Sequence, residues 1–340
     1  MKQIASEPTE LMTVLTKFFL ILLAAALLAL GAFAFWAQQP VLAPGAAAID
    51  FSIKAGSGVR SAAQQIASEN IPVNPLLLEA LARATGKSAR LKAGNYELKP
   101  GTTPLRLINQ LVRGEFAQES LSIIEGWTFR QMRDAIALHP ALKHDTALLS
   151  DTELLARITP DYKVPEGLFF PDTYLFAKGS SDLQIYRQAH ATLLKRLNAA
   201  WEQRDLSLPY KTAYEALTMA SIIEKETGQK AERRMIAGVF INRLKTGMLL
   251  QTDPTVIYGM GSKYQGVIRK SDLLTDTPFN TYTRAGLPPT PIALPGNAAL
   301  TAALRPETTD ALYFVARGDG SSVFSTNLPE HNRAVNKYQR

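Results

Sequence analysis

The chain reads as an α+β protein: one apolar helix at the N-terminus, then a mixed α/β region of short β-like stretches and helices. Three observations predict this. Phe18–Ala37 is a run of twenty residues without a charge. After it, three short β-like stretches each end at a glycine and run into apolar residues at helical spacing. Further on, three longer stretches repeat apolar residues with a helical period, and the second of them ends in a carboxylate, Glu224.

The run 18–37 is long enough to cross a bilayer core, and Trp36 stands where an interfacial aromatic belongs. A cleaved signal peptide is the competing reading, but its apolar core would be shorter and would close on small residues rather than Phe35 and Trp36. A retained single transmembrane helix is therefore expected. Lys2 and Lys17 precede the span and the next basic residue is Lys54. That bias places a cytoplasmic tail at 1–17 and sends about 300 residues across the inner (plasma) membrane to the periplasmic side. Residues 38–47, with Pro40, Pro44, Gly45 and several alanines, read as a linker.

Composition narrows the chemistry. A hydrophobic fraction of 46% and a charged fraction of 20% over 340 residues describe a globular chain long enough for two domains. There are no cysteines, so neither disulfides nor thiolate metal sites contribute. The net charge of +7 suits an anionic partner such as a phospholipid surface or an acidic polymer. Export and the scattered placement of the basic residues argue against nucleic acid. The four histidines are far apart, and there is no His-Glu-x-x-His pair, Gly-x-Ser-x-Gly elbow, Ser-x-x-Lys element or glycine-rich phosphate loop. No cofactor is expected, and carboxylate acid/base chemistry remains.

In the exported part, Ser52–Gly56 leads into Val59, Ala62, Ala63 and Ile66. Glu97–Gly101 leads into Leu105, Leu107, Ile108 and Leu111, and Ser122–Gly126 into Phe129, Met132 and Ile136. The similarity reads either as a faint repeat or as chance recurrence of a common pattern. Pro165–Tyr174, with prolines near both ends and aromatics between, reads as an ordered loop. Helices are then expected over about 183–204, over the Glu224 segment and over 230–245.

Glu224 follows the apolar run from Ala213 to Ile223 and shares a helical sector with Ala213, Leu217 and Ala220. Small apolar neighbours desolvate a carboxylate and raise its pKa, as a general acid near neutral pH requires. A solvated glutamate at a helix end explains the same pattern at least as well. Glu226, two residues on, points to the opposite side. Leu249–Gly259 is expected as a polar segment with its turn held by Pro254. Together with Pro278–Tyr282 and Gly286–Ile292 it supplies aromatic, amide and hydroxyl groups suited to sugar rings, although ordinary turn chemistry accounts for any one of these loops.

Ala220–Thr227, Val239–Leu244 and Leu250–Gly259, taken together, closely resemble the YceG-like, endolytic murein transglycosylase family. Pro165–Tyr174, Pro278–Tyr282, Gly286–Ile292, Ser325–Asn327 and His331-Asn332 resemble its remaining elements, and the chain departs at Thr290, where the family often has glycine. The resemblance covers essentially the whole exported part. It implies a LysM-like module over 48–116 and a YceG-like catalytic domain over 117–340. It also implies a lyase acting on peptidoglycan glycan strands, near penicillin-binding synthases, with Glu224 as the catalytic acid/base. Glu166, Glu226, Gln251, Asn280 and Tyr282 are the weaker expectations for substrate contact. A non-catalytic cell-wall scaffold is the alternative, and a two-carboxylate hydrolase using Glu166 or Glu226 a distant third.

Overall fold

The structure is a computed structural model that describes residues 7–226, 229 and 231–339. It divides into two compact units, the first reaching to Gln118 and the second starting at Glu119. The first unit opens with α1 (Glu7–Trp36). Within it Met12–Trp36 is long and apolar enough to cross a membrane.

β1 (Ile49–Ile53), α2 (Val59–Ser68), α3 (Pro75–Ala84), β2 (Gly94–Leu98) and α4 (Pro104–Arg113) follow. β1 and β2 pair antiparallel with Phe51 opposite Tyr96, and the two rings stack at 5.4 Å. Period-two alternation turns Phe51 and Ile53 inward and leaves Asp50 and Ser52 exposed. Ile66, Leu98, Leu107 and Leu111 complete a closed core.

Residues within 38–47, read from the sequence as a linker, pack on this unit, as does Ala37 just before them. Ala37 and Leu42 are buried in this core. The Leu105 amide donates to the Ala37 carbonyl at 3.1 Å, and the Val41 amide donates to the Thr102 carbonyl at 2.8 Å.

The second unit begins around β3 (Gln118–Ser122), continues through α5 (Phe129–Leu138) and α6 (Asp151–Ala156), and pairs β3 with β4 (Thr173–Ala177). The strand–glycine–helix pattern holds three times with one geometry. Gly56, Gly101 and Gly126 have φ of 79°, 81° and 78°, and each lies three residues before the first residue of its helix. Only glycine takes that left-handed turn without strain. Thr103 and Thr128 then cap α4 and α5.

α7 (Asp182–Glu202), α8 (Ala213–Glu226) and α9 (Arg233–Thr246) match the three expected helices to within a few residues, Lys230 lying outside the described residues. Eight consecutive residues of α8, Ala216–Ile223, are buried. They are covered in part by α12 (Asn297–Leu304), whose alanines allow close approach. Before α12 come α10 (Asp253–Met260), a 3-10 turn at Gly261–Lys263, and α11 (Lys270–Leu274). α10 corrects the turn expected around Pro254, since this proline sits in the first turn of a helix, where its missing N–H costs nothing. A hairpin of β5 (Tyr313–Ala316) and β6 (Ser322–Ser325), with α13 (Leu328–Tyr338) packed on it, completes the unit.

Gly167 shows how tightly the loops are set. Its φ is 78°, and a Cβ there would meet the Pro291 side chain at 2.3 Å. Gly247, at the end of α9, has a φ of 72° but open space around it. Gly167→Ala is expected to destabilise the protein by about 3 kcal/mol and Gly247→Ala by about 1 kcal/mol, read from denaturant unfolding of the two variants beside wild type.

Candidate active site

The last turn of α8 sends its two glutamates to opposite sides, about 200° apart. Glu224 is enclosed, its side chain 4% exposed. One carboxylate oxygen lies 2.9 Å from Nη2 of Arg233, and the other accepts the Gly296 amide at 2.9 Å. Burial raises its pKa, while the Gly296 amide and the Arg233 guanidinium pull it back. Ser221, one turn earlier, accepts the Ile292 amide at 2.9 Å. The proline-rich loop 286–296 therefore runs along this flank of α8, with Thr290 turned back on the Pro291 carbonyl.

Glu226 faces the other way, into the wall of a cavity of about 500 Å³. Gln251 and Asp253 from the start of α10, Arg243 from α9, Tyr282, Tyr313 and His331 also line it. The Thr252 hydroxyl donates to Glu226. Burial raises the Glu226 pKa, against the Thr252 hydrogen bond, and the Asp253 charge adds to the rise while Arg243 opposes it. Gln251 holds a φ of 50°, unusual for a residue with a Cβ, at the mouth of α10. The Tyr282 hydroxyl donates to Asp253 at 2.6 Å.

Arg243 forms the floor. Its Nε donates to the Leu312 carbonyl at 2.7 Å, its Nη1 to the Leu250 carbonyl at 2.8 Å, and its guanidinium lies 5.2 Å over the Tyr313 ring. His331 stacks on Tyr313 at 5.1 Å, and its pKa is lowered by burial and by Arg243.

Of the residues expected from the sequence, the cavity collects Glu226, Gln251 and Tyr282 and leaves Glu224, Glu166 and Asn280 out of its lining. Asn280 is fully buried, and its amide is spent on the carbonyls of Leu273 and Thr275 while its oxygen accepts the Tyr282 amide. It holds the loop that presents Tyr282 and has no free group for a sugar. Glu166, also buried, accepts the Phe129 amide at 2.9 Å and the Tyr258 hydroxyl at 3.1 Å. It ties the start of α5 to α10. Asp253, Arg243 and His331 were missed as site residues, although each lay inside or beside a segment noted for its motif. Among the described residues, no three His, Cys, Asp or Glu side chains converge as metal ligands would.

Comparison with known proteins assigns the chain. The YceG-like family model matches residues 51–337, and the chain belongs to that family. It is 33% identical over 319 residues to a Bacillus subtilis protein named endolytic murein transglycosylase, covering 88% of this chain and 87% of that protein. A Streptococcus pneumoniae protein of the same name is 28% identical over 278 residues, covering 72% of this chain and half of the relative. The crystal structure of a YceG-like protein from Listeria monocytogenes matches with a TM-score of 0.54 and 34% identity, over 84% of this chain and 98% of that one.

Burial lifts the Glu166 pKa from 4.5 to about 7. A carboxyl raised in this way favours folding while protonated, and the contribution is lost as pH rises through the folded value. Glu166→Gln is expected to reduce the loss of stability between pH 5 and pH 8 by up to about 3 kcal/mol, measured by denaturant unfolding at the two pH values.

Proposed function

We propose that the protein is a membrane-anchored endolytic lytic transglycosylase that cleaves MurNAc-β-1,4-GlcNAc bonds within peptidoglycan strands and leaves 1,6-anhydro-MurNAc ends. The observation that carries this reading is a desolvated carboxylate in the wall of a polar, aromatic-lined cavity, in a chain of the YceG-like family. We assign the acid/base role to Glu226 and not, as expected from the sequence, to Glu224. The physical reason is geometric: both oxygens of Glu224 are engaged, one by a buried arginine and one by the Gly296 amide, and Glu224 lies outside the cavity lining, whereas Glu226 is in it.

Glycosidases commonly need two carboxylates, one for the leaving oxygen and one for water or covalent attack. A lytic enzyme needs one, because the nucleophile is the substrate's own C6 hydroxyl, already held close to C1. Protonated Glu226 gives its proton to the departing GlcNAc O4. The ionised Glu226, supported by the Thr252 hydroxyl and the Arg243 charge, then accepts the C6 hydroxyl proton as that oxygen closes on C1. Tyr282, held by Asp253, and Gln251 are placed to contact the sugars.

α1 would fix the enzyme in the inner membrane with the catalytic unit periplasmic, close to penicillin-binding synthases and to strands still being made, so that cleavage ends elongation. The order β1–α2–α3–β2 with an antiparallel strand pair supports reading 48–116 as a LysM-like glycan-binding module.

Purified glycan strands digested with wild type, Glu226→Gln and Glu224→Gln, and analysed by mass, test the assignment. Wild type is expected to yield anhydro ends and Glu226→Gln to lose about a thousandfold in rate. Glu224→Gln, which keeps the hydrogen bond to Gly296 but leaves the buried Arg233 charge unpaired, is expected to lose stability and, per folded molecule, about tenfold or less in rate. The reverse order of the two variants returns the role to Glu224. Reducing ends carrying water indicate a hydrolase, and binding without cleavage indicates a scaffold.

A further inference from the structure

We infer that the first unit carries a binding site for a phospholipid headgroup, formed by the turn after β2 and the first turns of α4 and held at the membrane surface by the end of α1. The inference rests on reading α1 as membrane-spanning. Its apolar stretch of 25 residues is about 37 Å long, against a hydrocarbon core of about 30 Å. The last turn, Phe33–Trp36, therefore stands among the headgroups. Ala37 follows at once and is buried, with Leu105 and Thr102 bonded through the backbone to Ala37 and Val41. No flexible tether separates the anchor from this part of the unit, so the start of α4 lies at the level of the lipid phosphates.

A cavity of about 700 Å³ opens beside that junction. Thr102 belongs to both, and Arg106, on the first turn of α4, lines the cavity. The other charges nearby are committed. Lys99 pairs with Glu97 at 3.3 Å, Arg113 pairs with Glu115 at 3.4 Å, and the Gln110 amide donates to the carbonyls of Glu97 and Glu115. Arg106 is exposed, and its guanidinium has no hydrogen-bond or ion-pair partner among the described residues. Both lining carboxylates are paired, Glu97 with Lys99 and Glu115 with Arg113 just outside the lining, so the free planar guanidinium is a receptor for one oxyanion, which it grips through two parallel N–H donors. Pro100 and Phe116 give the same cavity apolar surface for the glycerol and the first methylenes. A neutral sugar ring would use the apolar wall and leave the charge unanswered. At this height the lipid phosphates are the densest source of oxyanions.

The full-length chain, reconstituted in vesicles of phosphatidylcholine and phosphatidylglycerol, is taken up in mild detergent and weighed intact by native mass spectrometry. Wild type is expected to hold one phospholipid and Arg106→Glu to hold about tenfold less. Arg106→Gln should fall between them. Arg60→Glu, on the exposed face of α2, should match wild type. Alkaline extraction of the vesicles separates the two ways of failing. A chain washed off the membrane overturns the anchor and the site together. An inserted chain that keeps its lipid equally well as Arg106→Glu overturns the site alone. Release of the lipid by soluble glycan strands overturns it in favour of a glycan groove.

Discussion

The arrangement around the cavity depends on one buried ion pair. Glu224 and Arg233, 4% and 8% exposed, join the end of α8 to the start of α9, and the second Glu224 oxygen brings in Gly296 at the head of α12. Three helices meet on one carboxylate. The pair is expensive as well as binding, because Nε and Nη1 of Arg233 are buried without partners among the described residues and its desolvation is only partly offset. Such a contact adds little net stability, yet removing either partner strands the other charge. Its effect is directional. With the last turn of α8 clamped on one side, Glu226 is held on the other, facing Thr252, Arg243 and the cavity.

Much of this could be read from the chain, and the point where the proposed assignment departs from the sequence expectation has a physical cause. The three glycine turns, the three long helices and the desolvation at the end of α8 all follow from local pattern. Choosing between Glu224 and Glu226 does not, because both are desolvated and both lie beside apolar residues. What separates them is the identity of what covers each. Arg233 lies nine residues on and Gly296 seventy-two, and neither announces itself as a partner. α10 was hidden for a related reason, since a proline that starts a helix and one that makes a turn look alike in sequence. Ala37 and Leu42 became core residues only because α4 offered a surface to cover them.

Aromatic and polar groups in the cavity are positioned largely by backbone carbonyls. Arg243 spends its donors on carbonyls of two separate segments, and Asn280 does the same for the loop before Tyr282. A guanidinium that is hydrogen-bonded to carbonyls and stacked on Tyr313 keeps its charge while losing its freedom. It is therefore a fixed electrostatic floor beneath Glu226, not a mobile arm.

One wall of that cavity is made by α13 and the hairpin before it, the last elements described, while Glu226 lies 87 residues before that hairpin begins. If the chain crosses the membrane in the order of its synthesis, the glutamate emerges long before its surroundings exist. Until Tyr313 and His331 have followed, part of the wall around Glu226 would be missing. Under that order of emergence a half-translocated chain would hold the glutamate before the cavity around it is complete.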